Sequence, residues 1–198
     1  MAKHSEKKGL LPMDAASPSN QLIQNIESRA LPESVPGFLD DRASSHPDTI
    51  FLNFFDDNDA LSYQEFTRLT KDFAQGLRQS GICQGQHVAV MLPTSRYYPI
   101  TWIALSRLGA VTVPINTRYT EREVRFAVTD SESEFLIIAR EFLENLPGLN
   151  LSDVIGSDRI IVLENAGDHC SGWHSILKAG STDSCVGDDN PRLETVMN

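Results

Sequence analysis

No apolar stretch in this chain approaches the ~20 residues that a helix needs to cross a bilayer, so no membrane-spanning helix is expected. The basic start, Met1-Ala-Lys-His-Ser-Glu-Lys-Lys-Gly9, is not followed by the apolar core of a secretory signal, which makes a cytoplasmic location the simple expectation. Cysteines are few. Cys83, Cys170 and Cys185 are odd in number and widely spaced, a poor disulfide framework and a sign of reduced thiols. Positive charge is also scarce: 17 Lys and Arg face 27 Asp and Glu, a net charge of −10. Such a surface lacks the clustered cations with which a nucleic-acid binder displaces counterions. No glycine-rich run leads into a helix that carries a lysine; Gly9, Gly37 and Gly148 stand alone, and Gly81 and Gly85 punctuate a turn. No internal repeat recurs at a fixed period.

What is present is an ordinary globular composition. Apolar residues make up 40% and charged residues 22% of 198 residues, enough chain for one domain with a real core. Residues 1–30 are rich in Ser, Lys, Asn, Gln and Pro and read as a flexible tail. From Val35 the pattern tightens. Phe38, Leu39, Arg42 and Ala43 predict a short helix ending at His46-Pro47, because a proline disfavours helix at the residue before it. Ile50–Phe55 predicts a strand closed by the turn Asp56–Asp59. Ser62 and Glu65 form a capping box with Leu61 and Phe66 as its staple, and Phe66, Leu69, Phe73 and Leu77 then recur at helical spacing up to the glycine stop at Gly81.

His87–Leu92 is a continuous apolar run, as in a strand covered on both faces. A second helix, capped by Thr94 or Ser95, runs to Leu108 and stops at Gly109, with Pro99 tolerated only near its first turn. Ala110–Val113 is the next strand. Thr120 and Glu123 make another capping box, with Tyr119 and Val124 placed as its staple. Strands over Glu134–Ile138 and Arg159–Leu163 follow, separated by a helical piece over Glu141–Leu146. This alternation predicts an α/β fold, a largely parallel sheet flanked by helices.

Candidate chemistry is thin. Cys170 and His174 stand four apart with Asp168 and His169 beside them, but a full tetrahedral set at familiar zinc spacing is absent, and a polar loop is expected. His87, at a strand start, has the chemistry of a base yet the placement of a partly exposed structural histidine. Tyr98 and Trp102 are expected in the core or at a subdomain contact rather than in a ligand pocket. Arg118 and Arg122 are expected at a solvated helix start. Ser95 and Ser106 have no neighbouring His–Asp arrangement that suggests a hydrolytic nucleophile.

The order and spacing of these features carry a resemblance. Pro36-Gly-Phe-Leu-Asp-Asp-Arg-Ala43 with His46-Pro-Asp48, then Ser62-Tyr63 with Glu65, then Gly81-Ile82 with Gly85, Gln86, His87, Val88 and Ala89, resemble successive motifs of the AMP-forming acyl-CoA synthetases, the adenylate-forming superfamily. Gln86-His87 departs from the family's usual Asp-Arg or Asp-Lys. Gly109-Ala110 through Pro114-Ile115-Asn116 resembles its second core motif, and Thr120–Val124 the helix start after it. Asn116, where amino-acid-activating domains usually carry Asp, tilts the resemblance toward acyl- or aryl-CoA ligases.

Asp188-Asp189 with Leu193-Glu-Thr-Val-Met-Asn198 resembles the segment leading into the family's "TSGTTGxPKG" loop, whose glycines let backbone N–H groups reach phosphate oxygens. The resemblance therefore implies residues 31–198 as an incomplete N-terminal subdomain of an adenylate-forming ligase, ending just before the phosphate-binding loop. It implies ATP, magnesium and coenzyme A for the full-length family, and a carboxylic acid as substrate, but none of these for this chain alone. No catalytic, cofactor-binding or metal-ligating residue is carried over, and an inactive ligase fragment is expected. Two other readings stand beside it. One is a non-catalytic α/β interaction module, pairing with an intact synthetase or as a homo-oligomer; the other is an unrelated nucleotide-binding α/β protein with a different strand order.

Overall fold

The computed structural model describes residues 18–28, 31–55, 59–163 and Ile176. The chain divides into two units, Met1–Pro32 and Glu33–Asn198. In the first, Pro18 opens helix α1 (Pro18–Glu27), a position where its missing N–H costs nothing. The sequence pattern predicts no element in that stretch. Leu22, Ile23 and Ile26 share one side of α1 and remain exposed.

The second unit begins with α2 (Val35–Ser45), whose first turn is capped by Ser34: its hydroxyl accepts from the Gly37 N–H at 3.0 Å. A short antiparallel pair follows, β1 (Ile50–Phe54) and β2 (Asp59–Ser62). The sequence pattern predicts β1 and misses β2, because Asp59-Ala-Leu-Ser62 is too short to show an alternation. The hairpin is held to the next helix by aromatic packing: Phe51 stacks on Tyr63 with ring centroids 4.8 Å apart and meets Phe66 at 5.0 Å.

Helix α3 (Tyr63–Gln79) starts at the expected capping box. The Glu65 N–H donates to the Ser62 hydroxyl at 3.2 Å, and the Ser62 N–H donates to the Glu65 carboxylate at 2.9 Å. That N–H, more than the hydroxyl beside it, holds the Glu65 carboxyl below its ordinary range. Ser62→Ala removes the hydroxyl and is expected to cost about 1 kcal/mol of unfolding free energy. Urea denaturation checks this; an unchanged midpoint would show that the cap contributes nothing. At the other end Gly81 sits at φ +94°, and its N–H and that of Ile82 bond back to the carbonyls of Arg78 and Leu77. This is a Schellman stop, with Leu77 and Ile82 both fully buried beside it.

The remaining elements are β3 (His87–Met91), α4 (Tyr97–Leu108), β4 (Val111–Pro114), α5 (Glu121–Asp130), β5 (Phe135–Ala139), α6 (Arg140–Glu144), a 3-10 turn (Ser157–Arg159) and β6 (Ile160–Leu163). Gly109, at φ +69°, ends α4 with the same two-bond pattern. The start of α4 corrects the sequence reading. Neither Thr94 nor Ser95 caps it; Arg96 occupies the cap position with helical backbone angles and no side-chain cap. Ser95 turns its hydroxyl toward the Pro93 carbonyl instead, and Pro99, third in the helix, has no N–H for a cap to serve. The Thr120–Glu123 box does form. Tyr119 stays exposed while Val124 is fully buried, so only one side of the expected staple is in the core.

Strands β4-β3-β5-β6 form one wholly parallel sheet in that order. Successive residues of its central strands alternate between two cores. Val88, Val90, Phe135 and Ile137 join the cluster with α2, α3 and α4, whereas Ala89, Met91, Leu136 and Ile138 join Val124 and Val128 of α5. This double coverage explains why β3 and β5 read as unbroken apolar runs. The steps β3 to β4 and β4 to β5 run in opposite directions across the sheet, with α4 and α5 on opposite faces. The two crossovers therefore share one hand.

The segment between α6 and β6 fills the second core with Leu146, Leu151 and Ile155. Polar clamps from α5 fasten it: Arg125 donates to both Asp153 carboxylate oxygens and to the Asn150 carbonyl, and Glu121 accepts from the Gly148 N–H at 2.6 Å. Hydrogen bonding from Arg125 pulls the Asp153 carboxyl down to about 2. Because the folded value lies below the unfolded one, this pair stabilises the fold above the ordinary carboxylate range. That contribution fades as pH falls toward about 2. NMR titration of Asp153 is expected to show this low midpoint, and Arg125→Gln to raise it, the backbone hydrogen bond at Asp153 keeping part of the depression. A normal midpoint in the unaltered chain would refute the clamp.

Candidate functional site

In an open parallel sheet, ligands settle outside the carboxyl ends of neighbouring strands whose following connections leave to opposite faces. Here that position lies between β3 and β5. The chain leaves β3 through Leu92-Pro93-Thr94-Ser95-Arg96 into α4 on the first face, and leaves β5 at Arg140 into α6 and a segment packed on the second. At this carboxyl edge the chain carries Thr94, Ser95, the half-buried residues Arg96 and Arg140, and the turn after β4. Sequence reasoning missed both arginines. Their only signal was position, one at each exit from a central strand.

Arg96 is already committed. Its guanidinium donates to Asp59 at 2.8 Å, and the two side chains are 32% and 23% exposed. The contact ties the start of α4 to the start of β2, so the loop 93–96 is braced from outside the sheet. After β4, Asn116 closes a tight turn: its side-chain oxygen accepts from the Arg118 N–H at 2.9 Å, and its carbonyl from the Tyr119 N–H at 3.0 Å. Asn116 is therefore occupied with shaping the turn. Arg118 and Arg122 are exposed around the first turn of α5, as expected. Glu121 and Glu123 share that turn, and bonding from the Thr120 N–H holds the Glu123 carboxyl low. Two carboxylates already answer the positive end of α5, which opposes anion capture there.

His87 lies at the far, amino edge of the sheet. Its Nδ1 is 2.6 Å from the Ser131 carbonyl, a contact that requires the proton on Nδ1. Beside it the Gln86 amide accepts from the Cys83 N–H at 2.7 Å and donates to Glu134 at 2.9 Å; Arg159 reaches the same Glu134 oxygen at 3.3 Å. These bonds lace β3, β5 and β6 together. They also give a physical role to the two residues that depart from the family motif.

Tyr98 is half-buried, and burial pushes its phenol up. Trp102, expected in the core or at a subdomain contact, is 55% exposed on α4 and is not part of either core. The Ser95 hydroxyl is turned to the Pro93 carbonyl, at 3.5 Å. Cys170, His174, Asp168 and His169, and the segment Asp188–Asn198, lie outside the described residues. Among the described residues no group of three His, Cys, Asp or Glu side chains is placed to hold a metal ion. No described helix is long and apolar enough to cross a membrane.

Comparison with known proteins gives this architecture its context. The family described as AMP-binding enzyme matches residues 39–189. Among curated proteins, the chain is 29% identical over 119 residues to a putative acyl-CoA synthetase, YngI, of Bacillus subtilis, covering 60% of this chain and 21% of that protein. It is 24% identical over 166 residues to a long-chain-fatty-acid–CoA ligase of Yersinia pestis, covering 78% and 29%. A feruloyl-CoA synthase of Amycolatopsis is 37% identical over 90 residues, covering 46% and 18%. The chain therefore spans about a fifth to three tenths of the length of such relatives.

Among solved structures, a long-chain-fatty-acid-CoA ligase of Archaeoglobus fulgidus superposes with a TM-score of 0.65 at 27% identity, over 79% of this chain and 32% of that one. The N-terminal domain of FACL13 from Mycobacterium tuberculosis shares the fold, with a TM-score of 0.63 at 22% identity, over 82% and 38%.

Proposed function

This chain belongs to the AMP-binding enzyme family, and on that premise we propose that residues 31–198 form the amino-terminal subdomain of an ATP-dependent acid–thiol ligase. In the whole protein a carboxylate attacks the α-phosphate of ATP, giving an acyl-adenylate and releasing pyrophosphate. The thiol of coenzyme A then attacks the acyl carbon, and AMP leaves with the bonding electrons. The relatives' names span fatty and aryl acids, so the substrate class stays at the carboxylic acid.

Within this scheme the residues described here are scaffold. The observation that carries the reading is the match over 39–189 falling on the doubly wound sheet with its caps and glycine stops in family order. Catalysis of such a reaction rests on positioning phosphates and stabilising their charge. The side chains that could do so at the carboxyl edge are few, and Arg96 is held by Asp59.

Isothermal titration of the 198-residue polypeptide with Mg-ATP is expected to give no binding heat, and hydroxylamine trapping no acyl-adenylate. Micromolar nucleotide binding would overturn the scaffold reading and favour an independent nucleotide-binding domain.

A further inference from the structure

We draw no further inference here: the strongest candidate, the exposed apolar stripe of Leu22, Ile23 and Ile26 along α1, carries nothing because nothing in the structure shows what covers it.

Discussion

Arg107→Met is expected to lower the unfolding free energy by about 2–3 kcal/mol. Arg107 stands in the last turn of α4 with its side chain 11% exposed, and it joins three helices. Its two terminal nitrogens take both oxygens of Asp40 in α2, at 2.8 and 3.1 Å, and its Nε donates to the Thr70 hydroxyl of α3 at 3.0 Å. Thr70, itself fully buried, passes its proton on to the Thr67 carbonyl at 2.8 Å. Methionine keeps much of the apolar stem but takes both guanidinium bonds from Asp40 and one from Thr70.

The loss stays below that of a wholly buried pair for a definite reason. Asp40 is 30% exposed and keeps Lys71 at 3.4 Å, and Thr70 keeps Thr67. Arg107→Lys is expected to recover only part, since one ammonium cannot hold both carboxylate oxygens and Thr70 in the geometry of the planar fork. Urea denaturation with a constant slope checks both variants, and the cycle with Asp40→Asn isolates the pair from the rest of each side chain. An unfolding free energy for Arg107→Met within about 0.5 kcal/mol of the parent would show that the three-helix junction rests on apolar packing alone.

The network at Arg107 marks the boundary of what the sequence discloses. Local chemistry was legible: Ser62 with Glu65, Thr120 with Glu123, and the glycines at 81 and 109 each act within a few residues of chain, and each does what its spacing predicts. The double coverage of β3 and β5 was legible too, because a strand buried on both faces has no polar positions. Long-range polar pairs were not. Asp40 and Arg107 are 67 residues apart, and Arg96 and Asp59 are 37 apart, with no periodicity to link them.

The same reason explains the cap misassigned to Thr94 or Ser95, since the loop 93–96 is set by a distant aspartate as well as by its own residues. The sheet order β4-β3-β5-β6 had to come from coordinates, because alternation of elements fixes a fold class and leaves several orders open. The sequence reading expected Arg118 and Arg122 at a solvated helix start and His87 half-exposed at a strand start, where the structure has them. It overlooked Arg96 and Arg140, whose interest arises only once β3 and β5 are neighbours.

Gly76→Ala reverses the usual sign of a helix substitution. In an exposed helix interior, alanine for glycine is worth about 1 kcal/mol of added stability. Gly76 lies in the buried part of α3, and a Cβ there would collide with the main-chain carbonyl of Ile176 and with its side chain. A main-chain obstacle cannot be relieved by turning a rotamer. The helix or the Ile176 backbone must move, and overpacking of this kind costs about 1–3 kcal/mol. The expected net result is a loss of about 1–2 kcal/mol together with faster hydrogen exchange at the Ile176 amide, while amides of β3 and β5 keep their protection.

Gly85→Ala makes the matching control. Gly85 has φ +81°, and a Cβ added to it would meet no atom within 4 Å. Its penalty is conformational strain alone, about 1 kcal/mol, and exchange at Ile176 should be unaffected. If Gly76→Ala instead raised the unfolding midpoint and left Ile176 exchange unchanged, the close approach of Ile176 to α3 would be refuted, and with it the part of the first core that lies beyond β6.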